Sequence, residues 1–313
     1  MTPPSILIEN LSKRYGKFTA LDHLDLDLEG AKCVGFLGPN GAGKTTTLKM
    51  ATDMIFPTEG RVLLNGEPVR ENRERALSYC GVLIESPEIY PSLSPREALE
   101  MAADVRNVPL GERRRRIDDV LAEVKMADWA DKKVGRFSKG MKQRINLAAA
   151  LVHDPQILIL DEPASGLDPR GMAEVRDIVR GLKQRNRLVF MSSHILQEVT
   201  DVCDEVALIN HGKLLFYDTL ANVTSRFSHG KSTVDAAFAS SVETATSRIG
   251  ALEGVEQVDS LEPNRVRIQF SGGLDTQKRL LKGLVALDLD IVSFRESGNS
   301  LEEIYLEQVT KGD

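Results

Sequence analysis

The sequence predicts an α/β core that carries an antiparallel β subdomain and a helical insert, followed by a small C-terminal α+β domain. Three observations predict it. A short apolar run, Ala31 to Leu37 (AKCVGFL), leads through Gly38 to Thr45 (GPNGAGKT) into a helix start at Thr45 to Met54, which is the order strand, glycine loop, helix. Ile157 to Leu160 (ILIL) is a continuous apolar run, the pattern of a strand buried on both faces of a parallel sheet. Past the polar stretch Arg226 to Ser232 (RFSHGKS) the pattern restarts, with alternating strands such as Arg265 to Phe270 (RVRIQF). A first domain is therefore expected over residues 1–225, with the helical insert at about 88–155, then a linker over 226–232 and an accessory α+β domain over 233–313. A length of 313 residues is in keeping with two domains.

Ile6 to Leu11 and Leu24 to Leu28 read as short strands, the second a clean L-D-L-D-L alternation with one wet face. Tyr15 lies between them, in K-R-Y-G-K. Beyond the glycine loop and its helix, Asn65-Gly66 is a hairpin signal between short strands. Ala76 to Glu85 (ALSYCGVLIE) reads as a strand leaving the core. Pro87, Pro91 and Pro95 then punctuate the chain, and Arg96 to Arg106, Arg113 to Ala127 and Lys142 to His153 carry apolar residues at helical spacing. The arginine run Arg113 to Arg116 reads as a solvated helix face, with Asp118, Asp119 and Glu123 as pair partners.

After the ILIL strand come a helix at Glu174 to Asn186, a strand at Leu188 to Ser192, then Ser193-His194 and a helix at Ile195 to Cys203. Val206 to Asn210 and Leu214 to Phe216 form a hairpin across Asn210-His211-Gly212. In the last part, strands at Thr233 to Phe238, Val255 to Leu261, Arg265 to Phe270 and Ile291 to Arg295 are joined by helices at Val242 to Leu252 and Asp275 to Leu287. A final helix opens with the capping-box spacing Ser300-x-x-Glu303 and buries Leu301, Ile304 and Tyr305. This is a small, ferredoxin-like α+β sandwich, and it carries no catalytic constellation.

Composition narrows the class. A hydrophobic share of 42% is ordinary for a globular chain, and a net charge of −6 argues against a general nucleic-acid surface. No apolar run approaches the ~18 residues needed to cross a bilayer. The start, MTPPSILIEN, lacks the basic and apolar regions of a signal peptide. Cys33, Cys80 and Cys203, odd in number and without a C-x-x-C spacing, read as reduced thiols.

Gly38 to Thr45 fits G-x-x-x-x-G-K-[ST] in full, the mark of a P-loop NTPase core. Gly38, Gly41 and Gly43 let the backbone curl without a Cβ in the way. The N–H groups of Gly41, Ala42, Gly43 and Lys44 then point at phosphate oxygens, and the helix N-terminus adds a favourable dipole. Asn40 and Thr46 complete the expected nucleotide-binding stretch. Lys44 places a compact positive charge near the β- and γ-phosphates, and Thr45 offers a hydroxyl to Mg²⁺. Asp161 and Glu162 directly follow the ILIL strand, where acids are costly without a cation or partner, so they point to metal binding and catalysis. Tyr15 is either an aromatic that stacks on adenine or a loop tyrosine. His194, closing an apolar strand of a parallel sheet, is placed for function.

In this order the motifs resemble the nucleotide-binding subunit of ABC transporters, over roughly residues 4 to 225. Tyr15 falls at that family's adenine-stacking aromatic, and Gly38 to Thr45 at its Walker A loop. Phe137-Ser138-Lys139-Gly140-Met141 stands where the signature L-S-G-G-Q is expected. Ile157 to Glu162 matches Walker B with the catalytic glutamate, Ser165-Gly166-Leu167-Asp168 the D-loop, and His194 the switch histidine. The resemblance implies that Thr45 and Asp161 hold Mg²⁺, that Glu162 is general base, and that Lys44 and His194 act on the phosphate. It implies that Ser138 and Gly140 serve the ATP of an opposite chain, two cassettes closing on two nucleotides, and that Asp168 of the D-loop belongs to the nucleotide-binding set. Two departures from the family pattern matter, one at Glu85 and one in the signature. Glu85 stands for the usual Gln, a metal-side position, while Lys139 and Met141 replace Gly and Gln of the signature. These variants and the extra C-terminal domain resemble the exporter branch.

The expected function is therefore an ATP-binding and ATP-hydrolysing subunit powering transport, in the export direction, by a membrane-spanning permease on a separate chain. ATP and Mg²⁺ are the expected cofactors, a second copy of the cassette the expected partner, and the cytoplasmic face of the membrane the expected place. Nucleic acid is not expected. The alternative is an ABC-type ATPase acting on ribosomes or nucleic acid, disfavoured by a single cassette, a compact insert without sustained heptads and an acidic net charge.

Overall fold

The computed structural model describes residues 3–85, 88–227, 231–272 and 274–296. By its contacts the chain divides between Leu220 and Ala221 into two compact units.

The first unit opens on a long hairpin, β1 (Ser5–Tyr15) and β2 (Phe18–Glu29). The two short strands expected there are parts of it, and Tyr15 is the last residue of β1, opposite Phe18. In β2, Leu24, Leu26 and Leu28 are buried while Asp25, Asp27 and Glu29 face water, so the L-D-L-D-L alternation decides which face packs. Each such leucine contributes about 1.5–3 kcal/mol by leaving water. The chain continues through β3 (Cys33–Leu37), the glycine loop and α1 (Lys44–Ala51) to the hairpin β4 (Glu59–Leu64) and β5 (Glu67–Pro68), turned at Asn65-Gly66. These strands form an antiparallel sheet in the order β2-β1-β4-β5.

The strand expected over Ala76 to Glu85 is shorter. Its first residues belong to helix α2 (Arg73–Ser78), and the strand is β6 (Cys80–Leu83). Arg-Glu-Arg-Ala-Leu is a run of good helix formers, and that local preference wins over the apolar pattern at this end. The helical insert follows as α3 (Pro95–Val105), α4 (Leu110–Glu123) and α5 (Lys139–Leu151). A full capping box starts α3. Ser94 Oγ accepts from Glu97 N–H, and the Glu97 carboxylate accepts from Ser94 N–H at 2.6 Å, which holds its pKa down to about 2.

The chain then runs through β7 (Ile157–Leu160), α6 (Pro169–Leu182), β8 (Leu188–Ser193), α7 (Leu196–Val202), β9 (Glu205–Asn210) and β10 (Lys213–Thr219). The central sheet has the order β10-β9-β3-β8-β7-β6, parallel throughout except for the edge strand β10. Every residue of β3, β7 and β8 is buried, as continuous apolar runs require in a sheet covered on both faces.

The arginine run is not a simple solvated face. Arg113 and Arg116, three residues apart on α4, turn inward. The first pairs with Asp104 at 2.7 Å and the second with Asp154 at 3.3 Å, while Arg115 faces Asp119. Their partners lie outside α4, so no reading of local charge spacing reaches them. A deeper pair fastens the insert. Arg187, with 4% of its side chain exposed, holds the equally buried Glu123 at 2.7 Å and Asp154 at 2.9 Å. Arg187→Ala leaves the Glu123 carboxylate under-compensated in the interior, and is expected to cost about 3–5 kcal/mol in urea unfolding.

His153 gives the fold a pH dependence. Its Nε2–H donates to the Cys80 carbonyl at 3.0 Å, and its Nδ1 is buried without a partner. Burial first, and then the nearby Arg106 charge, push its pKa down from the ordinary 6.5 to about 4. Between those values the unfolded chain binds the extra proton, so stability is complete above about pH 6.5 and falls as pH drops towards 4. His153→Gln is expected to flatten that slope in urea midpoints measured at successive pH values.

All three cysteines are buried free thiols, and the tertiary fold sets Cys33 Sγ and Cys203 Sγ 3.5 Å apart.

In the second unit, α8 (Leu220–Phe227) runs into the stretch expected as a linker and β11 (Lys231–Phe238) begins within it. Residues 228–230 lie outside the described residues. Beyond β11 come α9 (Thr246–Gly250), β12 (Val255–Glu262), β13 (Arg265–Ser271), α10 (Leu274–Ala286) and β14 (Ile291–Glu296). The antiparallel order β12-β13-β11-β14 is the ferredoxin-like arrangement of a split βαβ pair. Val234, Phe238, Ile249, Ile268, Phe270 and Leu284 anchor its own core. The expected last helix from Ser300, with Leu301, Glu303, Ile304 and Tyr305, lies outside the described residues.

Candidate active site

The parallel register carries the chemistry to the carboxyl ends of the central strands. β3 pairs with β8, Leu37 opposite Ser193, and β7 pairs with β8, Leu160 opposite Met191. The glycine loop, the acids Asp161-Glu162 and the Ser192-Ser193-His194 segment thus leave neighbouring strands side by side. Gly38 N–H donates to the Ser193 carbonyl at 3.3 Å, joining loop and β8 directly.

The loop is a tight cradle. Gly43 has φ +108°, and a Cβ on it would stand 2.7 Å from the Ala20 carbonyl of β2; on Gly38 it would stand 2.3 Å from the Ile209 carbonyl. Gly41 also has positive φ, Ala42 is buried, and Asn40 is exposed at the loop tip. The turn at His211-Gly212 braces the loop from the far side, Gly212 N–H donating to the Ala42 carbonyl at 2.9 Å. Thr46 is half-buried on the first turn of α1.

Lys44 is 5% exposed, and its Nζ donates to the carbonyls of Gly38 at 2.8 Å and Pro39 at 3.0 Å. Glu162 Oε1 stands 3.9 Å from it. Burial lowers the Lys44 pKa, against the opposing pull of Glu162 and Asp161. A buried ammonium held by two neutral carbonyls and one distant carboxylate is a site that an anion relieves, which fits phosphate.

Thr45 Oγ1 donates to Asp161 Oδ2 at 2.9 Å. These two hard oxygens fit Mg²⁺, which takes one or two protein oxygens and fills its other positions from phosphates and water. Glu162 follows with φ +43°, left-handed for a non-glycine residue, and its Oε1 meets His194 Nδ1 at 3.1 Å. The structure therefore brings together Lys44, Thr45, Asp161, Glu162 and His194, which sequence places far apart. It also adds Ser192, whose hydroxyl lies between the two acids. The small hydroxyl pair before His194, closing an apolar strand, was the signal for it.

Two further expected residues have partners outside this cluster. Glu85, just past β6, has its carboxylate engaged by Lys49 of α1 at 2.6 Å and 72% exposed. Tyr15 is half exposed, with Lys13 Nζ 4.9 Å over its ring.

Ser138, Gly140 and Asp168 belong elsewhere on the same unit. Ser138 caps α5, its Oγ accepting from Met141 N–H at 3.2 Å; Asp168 caps α6, its Oδ1 accepting from Gly171 N–H at 3.1 Å. With Trp129, Met141 and Gly171 they line a cavity of about 510 Å³ in which none of Lys44, Thr45, Asp161, Glu162 or His194 takes part. Gln143, unmarked in the sequence reading, ties α5 to the loop after the acids by donating to the Pro163 carbonyl at 2.8 Å.

Comparison with known proteins follows the same lines. Residues 21–165 match the family described as ABC transporter. Over 207 residues the chain is 42% identical to the bacitracin transport ATP-binding protein BcrA of Bacillus licheniformis, covering 66% of this chain and 67% of that protein. Over 302 residues it is 28% identical to the linearmycin resistance ATP-binding protein LnrL of Bacillus subtilis, covering 95% of this chain and 96% of the relative. A solved ATP binding subunit of an ABC transporter superposes with a TM-score of 0.64 at 27% identity, over 71% of this chain and 93% of that one.

Proposed function

This chain belongs to the ABC transporter ATP-binding family, and from that premise we propose how its residues divide the work. It binds and hydrolyses ATP to power transport by a separate membrane-spanning subunit. The observation that carries the assignment of roles is the convergence of Lys44, Thr45, Asp161, Glu162 and His194 at the carboxyl ends of β3, β7 and β8.

Loop N–H groups from Gly41 to Lys44 cradle the phosphates, and the Lys44 ammonium turns from Glu162 towards the β- and γ-oxygens. Tyr15 offers its ring to the adenine. Thr45 and Asp161 hold Mg²⁺, which neutralises charge on the phosphates. Glu85 joins that side only on parting from Lys49. Glu162 takes the proton of the attacking water, and His194, donating through Nδ1, keeps the Glu162 carboxylate aimed. Ser138, Gly140 and Asp168 lie on a different cavity of the same unit, which supports their serving the nucleotide of a second copy. Two chains then close on two ATP molecules, and hydrolysis separates them.

The relatives named for bacitracin transport and linearmycin resistance support export as the direction and a compound of the bacitracin or linearmycin kind as cargo. No helix among the described residues is long and apolar enough to cross a membrane. The relatives' names as ATP-binding proteins of transport systems support a spanning subunit on a separate chain, with this chain at its cytoplasmic face. Pulling a tagged copy from detergent-solubilised native membranes is expected to bring down a stoichiometric multi-span protein. Recovery with ribosomes or nucleic acid instead would overturn the transport role.

A further inference from the structure

We propose that Ser192 is a positioning residue for hydrolysis, locking the metal-side acid and the general base to one another; this rests on the roles given above to Asp161 and Glu162. The parallel register makes the contact possible. The β7–β8 ladder ends at the pair Leu160–Met191, and Asp161 and Ser192 are the next residues along the two chains. Ser192 is fully buried, and its hydroxyl is used in both directions: it donates to Asp161 Oδ1 at 2.5 Å and accepts from Glu162 N–H at 2.9 Å.

Each bond has a separate consequence. The first fixes the Asp161 carboxylate plane. With Oδ1 on Ser192 and Oδ2 on Thr45, the rotamer is determined from both sides. The second holds the amide of a residue in a left-handed conformation, a geometry that persists only where its surroundings over-determine it. The turn at Glu162 is what swings its side chain to His194 and Lys44. One hydroxyl thus couples the position of the Mg²⁺-binding carboxylate to that of the proton acceptor. Alanine at this position leaves Asp161 Oδ1 and Glu162 N–H without these partners. Threonine keeps the hydroxyl and suits a strand.

The test compares Ser192→Ala, Ser192→Thr and Glu162→Gln in the full chain. In Ser192→Ala, kcat is expected to fall about 10–100-fold, as for loss of a residue that orients a ligand, with KM for ATP nearly unchanged. The Mg²⁺ concentration for half-maximal binding of a fluorescent ATP analogue, read without turnover, is expected to rise about tenfold on the same ground. Ser192→Thr is expected to restore both. The inference is overturned if Ser192→Ala turns over within twofold of the parent at an unshifted Mg²⁺ requirement. It is equally overturned if Ser192→Thr is as slow as Ser192→Ala, or if the loss in kcat follows a fall in the urea midpoint. Glu162→Gln separates the two readings. Near-normal turnover there defeats the active-site assignment itself, whereas a slow Glu162→Gln beside a normal Ser192→Ala defeats only the role of Ser192.

Discussion

Replacing Glu162 with glutamine is expected to slow ATP hydrolysis by about 10²–10⁴ while ATP binding persists. The amide keeps the shape of the carboxylate and an oxygen able to accept from His194 Nδ1, now at 3.1 Å, so the fold and the segment after β8 are preserved. What it removes is a proton acceptor. It also removes the negative charge 3.9 Å from Lys44 Nζ, which frees that ammonium for phosphate, so affinity for ATP is expected to hold or rise. Phosphate release under saturating ATP measures the first effect and titration with a fluorescent ATP analogue the second. If two copies close on ATP, the variant should also accumulate as an ATP-bound dimer on gel filtration. Near-normal turnover would place the general base elsewhere.

Lys44→Met acts on the other half of the cycle, with opposite effects on binding and stability. The ammonium is 5% exposed and its pKa is lowered chiefly by burial, so the folded chain holds this charge at a cost. Methionine matches its length without the charge. The urea midpoint of the nucleotide-free variant is therefore expected to stay level or rise. ATP affinity is expected to fall by about 2–5 kcal/mol, the loss typical when one partner of a buried charged pair is removed, which is a factor of roughly 30 to several thousand. Calorimetric titration with ATP and a urea series on the same preparation check both directions. A variant that binds ATP normally would remove Lys44 from the phosphate site, and one that unfolds early would make it structural.

Much of this molecule is legible one element at a time. The L-D-L-D-L alternation and RVRIQF show by their period which face is buried, the unbroken ILIL run shows burial on both faces, and Asn65-Gly66 marks a turn, all from local pattern. The glycine loop is legible because a phosphate cradle needs those residue types in one contiguous stretch. Where the sequence reading slips, a competing force decides, local in one place and non-local in another. Residues 73–78 coil into α2 on the strength of their own helix formers, although the apolar run behind them suggests a strand. The Arg113–Arg116 run looks solvated until α4 packs, and then two of its members reach Asp104 and Asp154, which only the folded insert brings near.

By itself the sequence determines which groups are present for phosphate and proton chemistry: an ammonium at Lys44, a hydroxyl at Thr45, two acids after a buried strand and a histidine after another. It determines too that a second, ferredoxin-like unit follows. The tertiary structure decides how those groups meet. Parallel pairing of β3, β7 and β8 converts separations of more than a hundred residues, Thr45 to Asp161 among them, into hydrogen-bond distances. It decides that Glu85 answers to Lys49, that Cys33 faces Cys203, and that Ser192 sits between the two acids. The physical reason is that hydrogen bonds and ion pairs act over a few ångströms whatever the distance along the chain. Residue type sets what a side chain offers, but only strand order and register set what it is offered to.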